Sequence, residues 1–137
     1  MLRKKGTGRW QSDCTTRKAY ASRPYSHGIE VSPGVRWLHV SGQVGFDARG
    51  KVAPDFETQA LQACKNVHQV LKSAGMDRDD IVKITAFVTD SRHLLTYRSM
   101  REKLLGKGPY PASTLLVVAA LALPELLIEV EVAAAKA

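Results

Sequence analysis

The segment Leu127-Ile128-Glu129-Val130-Glu131-Val132 limits the possible folds more than any other stretch of the chain. Its apolar and acidic residues alternate with period two, so as a strand it sets Ile128, Val130 and Val132 on one face and both carboxylates on the other. Burying a lone charge is expensive, so the two carboxylates must be paired, solvated by an exposed edge, or set in a cavity. Residues 81–89 read the same way, with Val82, Ile84, Ala86 and Val88 on one face and Lys83, Thr85 and Thr89 on the other. Two half-buried strands of this kind call for a sheet with one apolar side.

What covers that side is also legible. Asp55 can cap, and Gly75 can stop, a long helix on which Phe56, Ala60, Cys64, Val67, Leu71 and Ala74 recur at spacings of three and four. A second helix, capped by Ser91 and ended by Gly106, carries Leu94, Leu95, Tyr97, Met100, Leu104 and Leu105. Ile29 and Val31, then Ser32-Pro33-Gly34, then Val35 to Val40 predict a hairpin, and Gly42 and Gly45 allow a bulge or close backbone approach beyond it. Ser113 to Ala120 is apolar enough for a central strand. The order of strands and helices is that of an α+β fold, a mixed sheet with two helices on one face. Its second face then needs a partner, and oligomerisation is expected.

At 137 residues the chain suits one domain. Residues 1–23 read as a basic, irregular lead-in, with Trp10 and Tyr20 as its large anchors, and residues 24–137 as the single folded domain. The lead-in holds seven Lys/Arg against Asp13 and so carries most of the net charge of +7, while the remainder balances thirteen basic against twelve acidic groups. A near-neutral body without an aromatic stacking platform argues against nucleic acid as the partner. No apolar run is long enough to span a membrane, and no secretory segment opens the chain, so a cytoplasmic protein is expected. Cys14 and Cys64 are too few for a disulfide framework, and His27, His39, His68 and His93 show no metal-ligand spacing. No metal and no cofactor are expected. Cys64, on the buried helix stripe, reads as a core thiol.

Taken together, Tyr25-Ser26-His27-Gly28, Val40-Ser41-Gly42-Gln43-Val44, the helix from Asp55 to Gly75, Asp80 to Asp90, Tyr110-Pro111-Ala112-Ser113-Thr114 and Ile128 to Ala133 resemble the YjgF/RidA family, also called L-PSP endoribonucleases or reactive-intermediate deaminases. The likeness runs in order over residues 24–135. It implies a chorismate-mutase-like fold, a homotrimer with an inner β-barrel, and clefts between subunits that take a small molecule. Active relatives hydrolyse enamines or imines to keto compounds and ammonia without a cofactor. By that resemblance Tyr25, Ser41 and Gly42 line the cleft, Glu129 positions or activates water, and an arginine just after Pro-Ala grips a substrate carboxylate.

This chain has Ser113 in the arginine's place, followed by Thr114. One neutral hydroxyl replaces a charged two-pronged clamp. The cleft is therefore expected to be less positive, and two alternatives to catalysis stand beside it: a ligand-binding or sensing trimer, and RNA cleavage or binding. Arg98 could restore the charge from another wall, although it also reads as a helix arginine near Glu102. Arg101 reads as surface.

Overall fold

The computed structural model describes residues 11–13, 25–108 and 110–137 of the chain. Eight main elements follow in order: β1 (Gln11–Asp13), β2 (Ile29–Val31), β3 (Arg36–Val44), α1 (Phe56–Ser73), β4 (Ile81–Val88), α2 (Leu94–Leu105), β5 (Ala112–Val117) and β6 (Ile128–Lys136), with 3-10 turns at Arg78–Asp80 and Ser91–His93. Trp10, Tyr20, Cys14 and the basic residues of the lead-in lie outside the described residues.

Helix α1 begins where Asp55 accepts a hydrogen bond from the Thr58 N–H at 2.8 Å. It ends at Ala74, followed by Gly75 at φ +67, a left-handed value that suits glycine. The cap of the second helix differs from expectation. Asp90 accepts from the Arg92 N–H at 2.8 Å, which makes Ser91 the first residue of a 3-10 turn leading into α2. A carboxylate at this position accepts a short, charge-assisted bond, and Asp90 wins it over the neighbouring hydroxyl.

The main sheet has strand order β3-β6-β4-β5, antiparallel except for the parallel β4–β5 pair. One expectation is corrected here and one open alternative is decided. The run after Pro111 forms β5, an edge strand. The alternating C-terminal segment is β6, a central strand and not an edge. Its length, Ile128 to Lys136, lets it pair with β3 on one side and β4 on the other. The predicted hairpin is also absent: β2 pairs with β1 in a separate two-stranded sheet, so Gln11–Asp13 is a strand within the segment read as irregular.

Both helices pack on one face of the sheet. Val40, Ile84, Ala86, Val88, Ile128, Val130, Val132 and Ala134 are buried there with Phe56, Ala60, Ala63, Val67 and Leu71 of α1 and Tyr97, Met100, Leu104 and Leu105 of α2. The opposite face follows from the register. Glu129 lies across from Phe87, Glu131 from Thr85, and Ala133 from Lys83, and Thr114 continues the row of Thr85. Trp37, half exposed at 50%, stacks parallel to His39 two residues on, with ring centroids 6.1 Å apart. No helix among the described residues is long and apolar enough to cross a membrane.

Two polar side chains fix how α1 meets the sheet. Gln59 is fully buried, donates to the carbonyls of Ala53 (2.7 Å) and Glu125 (2.9 Å), and accepts from the Leu127 N–H (2.9 Å). Asn66 donates to the carbonyls of Val44 and Phe46, both at 2.9 Å. The first ties down the approach to β6 and the second the end of β3. Gly45 makes this close packing possible, because a Cβ there would lie 2.8 Å from the Gln59 backbone.

Candidate functional site

The residues expected at the site fall into two groups at opposite sides of the main sheet. The first gathers where β3 meets β6. Between Val40 and Gln43 the β3–β6 register slips by one residue, so Ser41 and Gly42 together face the single Glu131. The bulge brings the Gly42 backbone under the Glu129 side chain. A Cβ on residue 42 would lie 1.7 Å from Glu129 Oε1 and 2.6 Å from its carboxyl carbon. Glycine here makes room for the carboxylate, a close approach rather than a turn. Glu129 is half-buried on the face of the sheet away from the helices, while Glu131 and Ser41 are exposed.

The second group gathers at the β5 edge. Tyr25-Ser26-His27 runs beside the start of β5: Ser26 bridges to Ala112, its N–H donates to the Pro111 carbonyl (3.1 Å), and its hydroxyl donates to the Tyr110 carbonyl (2.6 Å). Tyr25 is half-buried, with its ring 5.8 Å from that of His27. Ser113 and Thr114 are neighbours in sequence but point to opposite faces. Thr114 accepts a hydrogen bond from Lys83 on the open face. Ser113 turns toward the helices and accepts one from Arg101 Nη1 at 3.3 Å.

Arg101 is the main correction to the sequence reading. Expected at the surface, it is only 7% exposed. It lies on the inward stripe of α2 with Tyr97, Met100, Leu104 and Leu105. Tyr97, one turn earlier, buries a hydroxyl that has no hydrogen-bond partner among the described residues, and Arg101 Nε also lacks one. Burial pushes the Tyr97 phenol well up, and the Arg101 charge partly offsets this. Arg98 is half-buried on the same helix and makes no ion pair with Glu102 among the described residues. The helix stripe was readable at Tyr97, Met100 and Leu104, and Arg101 falls on the same stripe. Its charge masked that signal.

Cys64 lies between the helices, where burial pushes its thiol up to about 11 and keeps it protonated, as a core thiol should be. His93 stacks flat on Phe56 with ring centroids 4.2 Å apart. Among the described residues no group of three or more His, Cys, Asp or Glu is placed to hold a metal ion.

Comparison with known proteins agrees with this fold. The family model described as Endoribonuclease L-PSP matches residues 15–136. A RutC family protein from Aquifex aeolicus is 41% identical over 68 residues, which cover 49% of this chain and 52% of that protein. A 2-iminobutanoate/2-iminopropanoate deaminase from Mus musculus is 36% identical over 109 residues, 78% of each chain. The crystal structure of a protein of unknown function, YyfB of the conserved Rid family from Yersinia pestis, superposes with a TM-score of 0.85 at 31% identity, covering 93% of this chain and 99% of that one. The helix-covered mixed sheet is thus shared architecture, and the chain belongs to the YjgF/RidA family.

Proposed function

We propose that the chain assembles as a homotrimer and hydrolyses small enamine or imine metabolites to carbonyl compounds and ammonia, in clefts where the β5 side of one copy meets the β3–β6 side of the next. The observation that carries this reading is the Glu129 carboxylate seated over the Gly42 backbone. It is a half-exposed acid packed close over a residue without a side chain, on a sheet face that α1 and α2 leave open. The division of the site supports assembly. Four strands at about 4.8 Å spacing put the β3 and β5 edges about 14 Å apart, so one small ligand cannot touch both within a chain. A second copy brings its own edge to the ligand. Relatives named as 2-iminobutanoate/2-iminopropanoate deaminases support the reaction class.

In this reading the imine nitrogen first takes a proton from solvent to become an iminium, and Glu129 then takes a proton from water as the oxygen attacks the C=N carbon. The resulting carbinolamine carries one hydroxyl and one amine on the same carbon. Glu129 returns its proton to the nitrogen, the hydroxyl gives its own back to solvent in exchange for the one first taken up, and the C–N bond breaks to release ammonia. One water is consumed, one ammonia leaves, and the carboxylate ends as it began. No cofactor enters this balance. Tyr25, Ser41, Thr114 and the Gly42 backbone supply the walls, and a cytoplasmic setting suits the removal of reactive imines.

The test is ammonia release from imines generated in the assay by an amino-acid oxidase. Release above the buffer rate, abolished in Glu129→Gln, is the expected result. A wild-type rate equal to that of buffer overturns catalysis in favour of a trimer that only binds its ligand.

A further inference from the structure

A second hollow lies well away from Glu129. A cleft of about 420 Å³ opens between the last turns of α1 and the 3-10 turn at Arg78–Asp80, lined by His68, Lys72, Asp77, Arg78 and Asp79. Asp80 pairs with Lys136 at 3.5 Å, which sets this turn at the C-terminal end of β6. Glu129 is near the other end of that strand, about 23 Å away at about 3.3 Å per residue.

Cations at the end of a helix ordinarily serve its last carbonyls. Here those carbonyls are taken. Leu71 and Lys72 accept from the N–H groups of Ala74, Gly75 and Met76, the Ala74 carbonyl accepts from Arg36, and the Gly75 carbonyl from Lys136. Lys72 and Arg78 are both exposed and form no ion pair among the described residues. The Arg78 guanidinium rests against Gly106, where a Cβ would lie 3.3 Å from Cζ, so the backbone at the end of α2 backs that charge. Of the acids in the lining, Asp77 spends its carboxylate on the Asp79 N–H at 2.7 Å and on the capping box of the turn. Half-buried His68 registers the balance. Burial holds its pKa below the ordinary histidine value, and Arg78 and Lys72 lower it by more than Asp77 raises it. At the ring, then, the field is positive.

We propose that this cleft binds a small phosphate monoester, with its dianionic head held between Lys72 and Arg78. Arginine offers a two-pronged fork and lysine a point charge, and the pair matches the oxygens and the charge of phosphate. In a field of this sign a dianion gains about twice what a carboxylate gains. The cleft also falls within the range of small-ligand pockets, about 300–1,000 Å³, and leaves room for an organic body behind the head. This site is independent of hydrolysis at Glu129.

The experiment titrates glycerol 3-phosphate into the nitrogen-15-labelled protein and reads the His68 imidazole by NMR, with acetate at matched ionic strength as the control. The ester should shift the His68 resonances saturably, and acetate should leave them in place. Arg78→Met and Lys72→Met, both surface changes, should each weaken binding about tenfold. Arg78→Lys should weaken it less than Arg78→Met, since it keeps the charge without the fork. Glu129→Gln should bind the ester as the wild type does, whatever becomes of ammonia release. No saturable shift with the ester, a comparable shift with acetate, or unchanged affinity in either Met variant overturns the proposal. Loss of ester binding in Glu129→Gln overturns it as well, because it would place the ester at the other site.

Discussion

The two faces of the β3-β6-β4-β5 sheet use the same alternating strands and end in different conditions. On the helix side Ile84, Ala86, Val88, Val130 and Val132 are all buried, and the polar group placed among them, Gln59, has three hydrogen bonds. On the other side Trp37 and Leu116 stand about half exposed, among Lys83, Thr85, Glu129 and Glu131. One face is finished within the chain and carries its stability. The other mixes apolar area with charge and is where the proposed chemistry would lie. Substitutions on the two faces should therefore fail in different ways.

Gln59→Leu should have the largest effect. It keeps the approximate volume but strands two carbonyls and one N–H that have no water to turn to, at a cost of about 3 kcal/mol in urea unfolding. A loss below about 1 kcal/mol would mean that the covered face is less tightly closed than its burial indicates. Gly42→Ala acts on the open face. The added methyl must push the Glu129 carboxylate aside, and ammonia release should fall about 100-fold, equivalent to about 2.7 kcal/mol, with the unfolding midpoint little changed. Unchanged turnover would detach Glu129 from the chemistry. Trp37→Ser is the mildest of the three. It removes exposed apolar surface, so self-association measured by sedimentation should weaken about tenfold while circular dichroism stays the same. Identical sedimentation at micromolar dilution would leave the open face without a role in assembly.

Features set by neighbours in sequence were readable, and features set by distant pairing were not. Asp55 and Gly75 bound α1 because capping depends on residues three or four apart, and the β4 pattern declares its buried side without help from other strands. The position of β5 at an edge was not readable. Its apolar run suits an edge or a centre equally, and the choice is made by β6, which inserts between β3 and β4. The hairpin expectation failed for a related reason. Ser32-Pro33-Gly34 does turn the chain, but β2 finds a better partner in Gln11–Asp13 than in β3. At the site, Gly42 and Glu129 were singled out separately, and only the bulge shows why they belong together. Arg101 was misread because a charged residue on an apolar helix stripe normally marks the stripe's border.

The extra residue in β3 has a lasting consequence for how this chain can vary. Side chains alternate along a strand, so deleting Ser41 or Gly42 would mend the ladder with β6 and reverse the orientation of one flank relative to the other. Gly45, whose bare flank admits α1, would turn away from the helix and a side chain would be driven against Gln59. The same deletion would take the glycine from beneath the acid. At this point, then, the protein is protected against changes of length more strictly than against changes of residue: helix docking and carboxylate seating are counted off from a single irregularity, and neither can drift without the other.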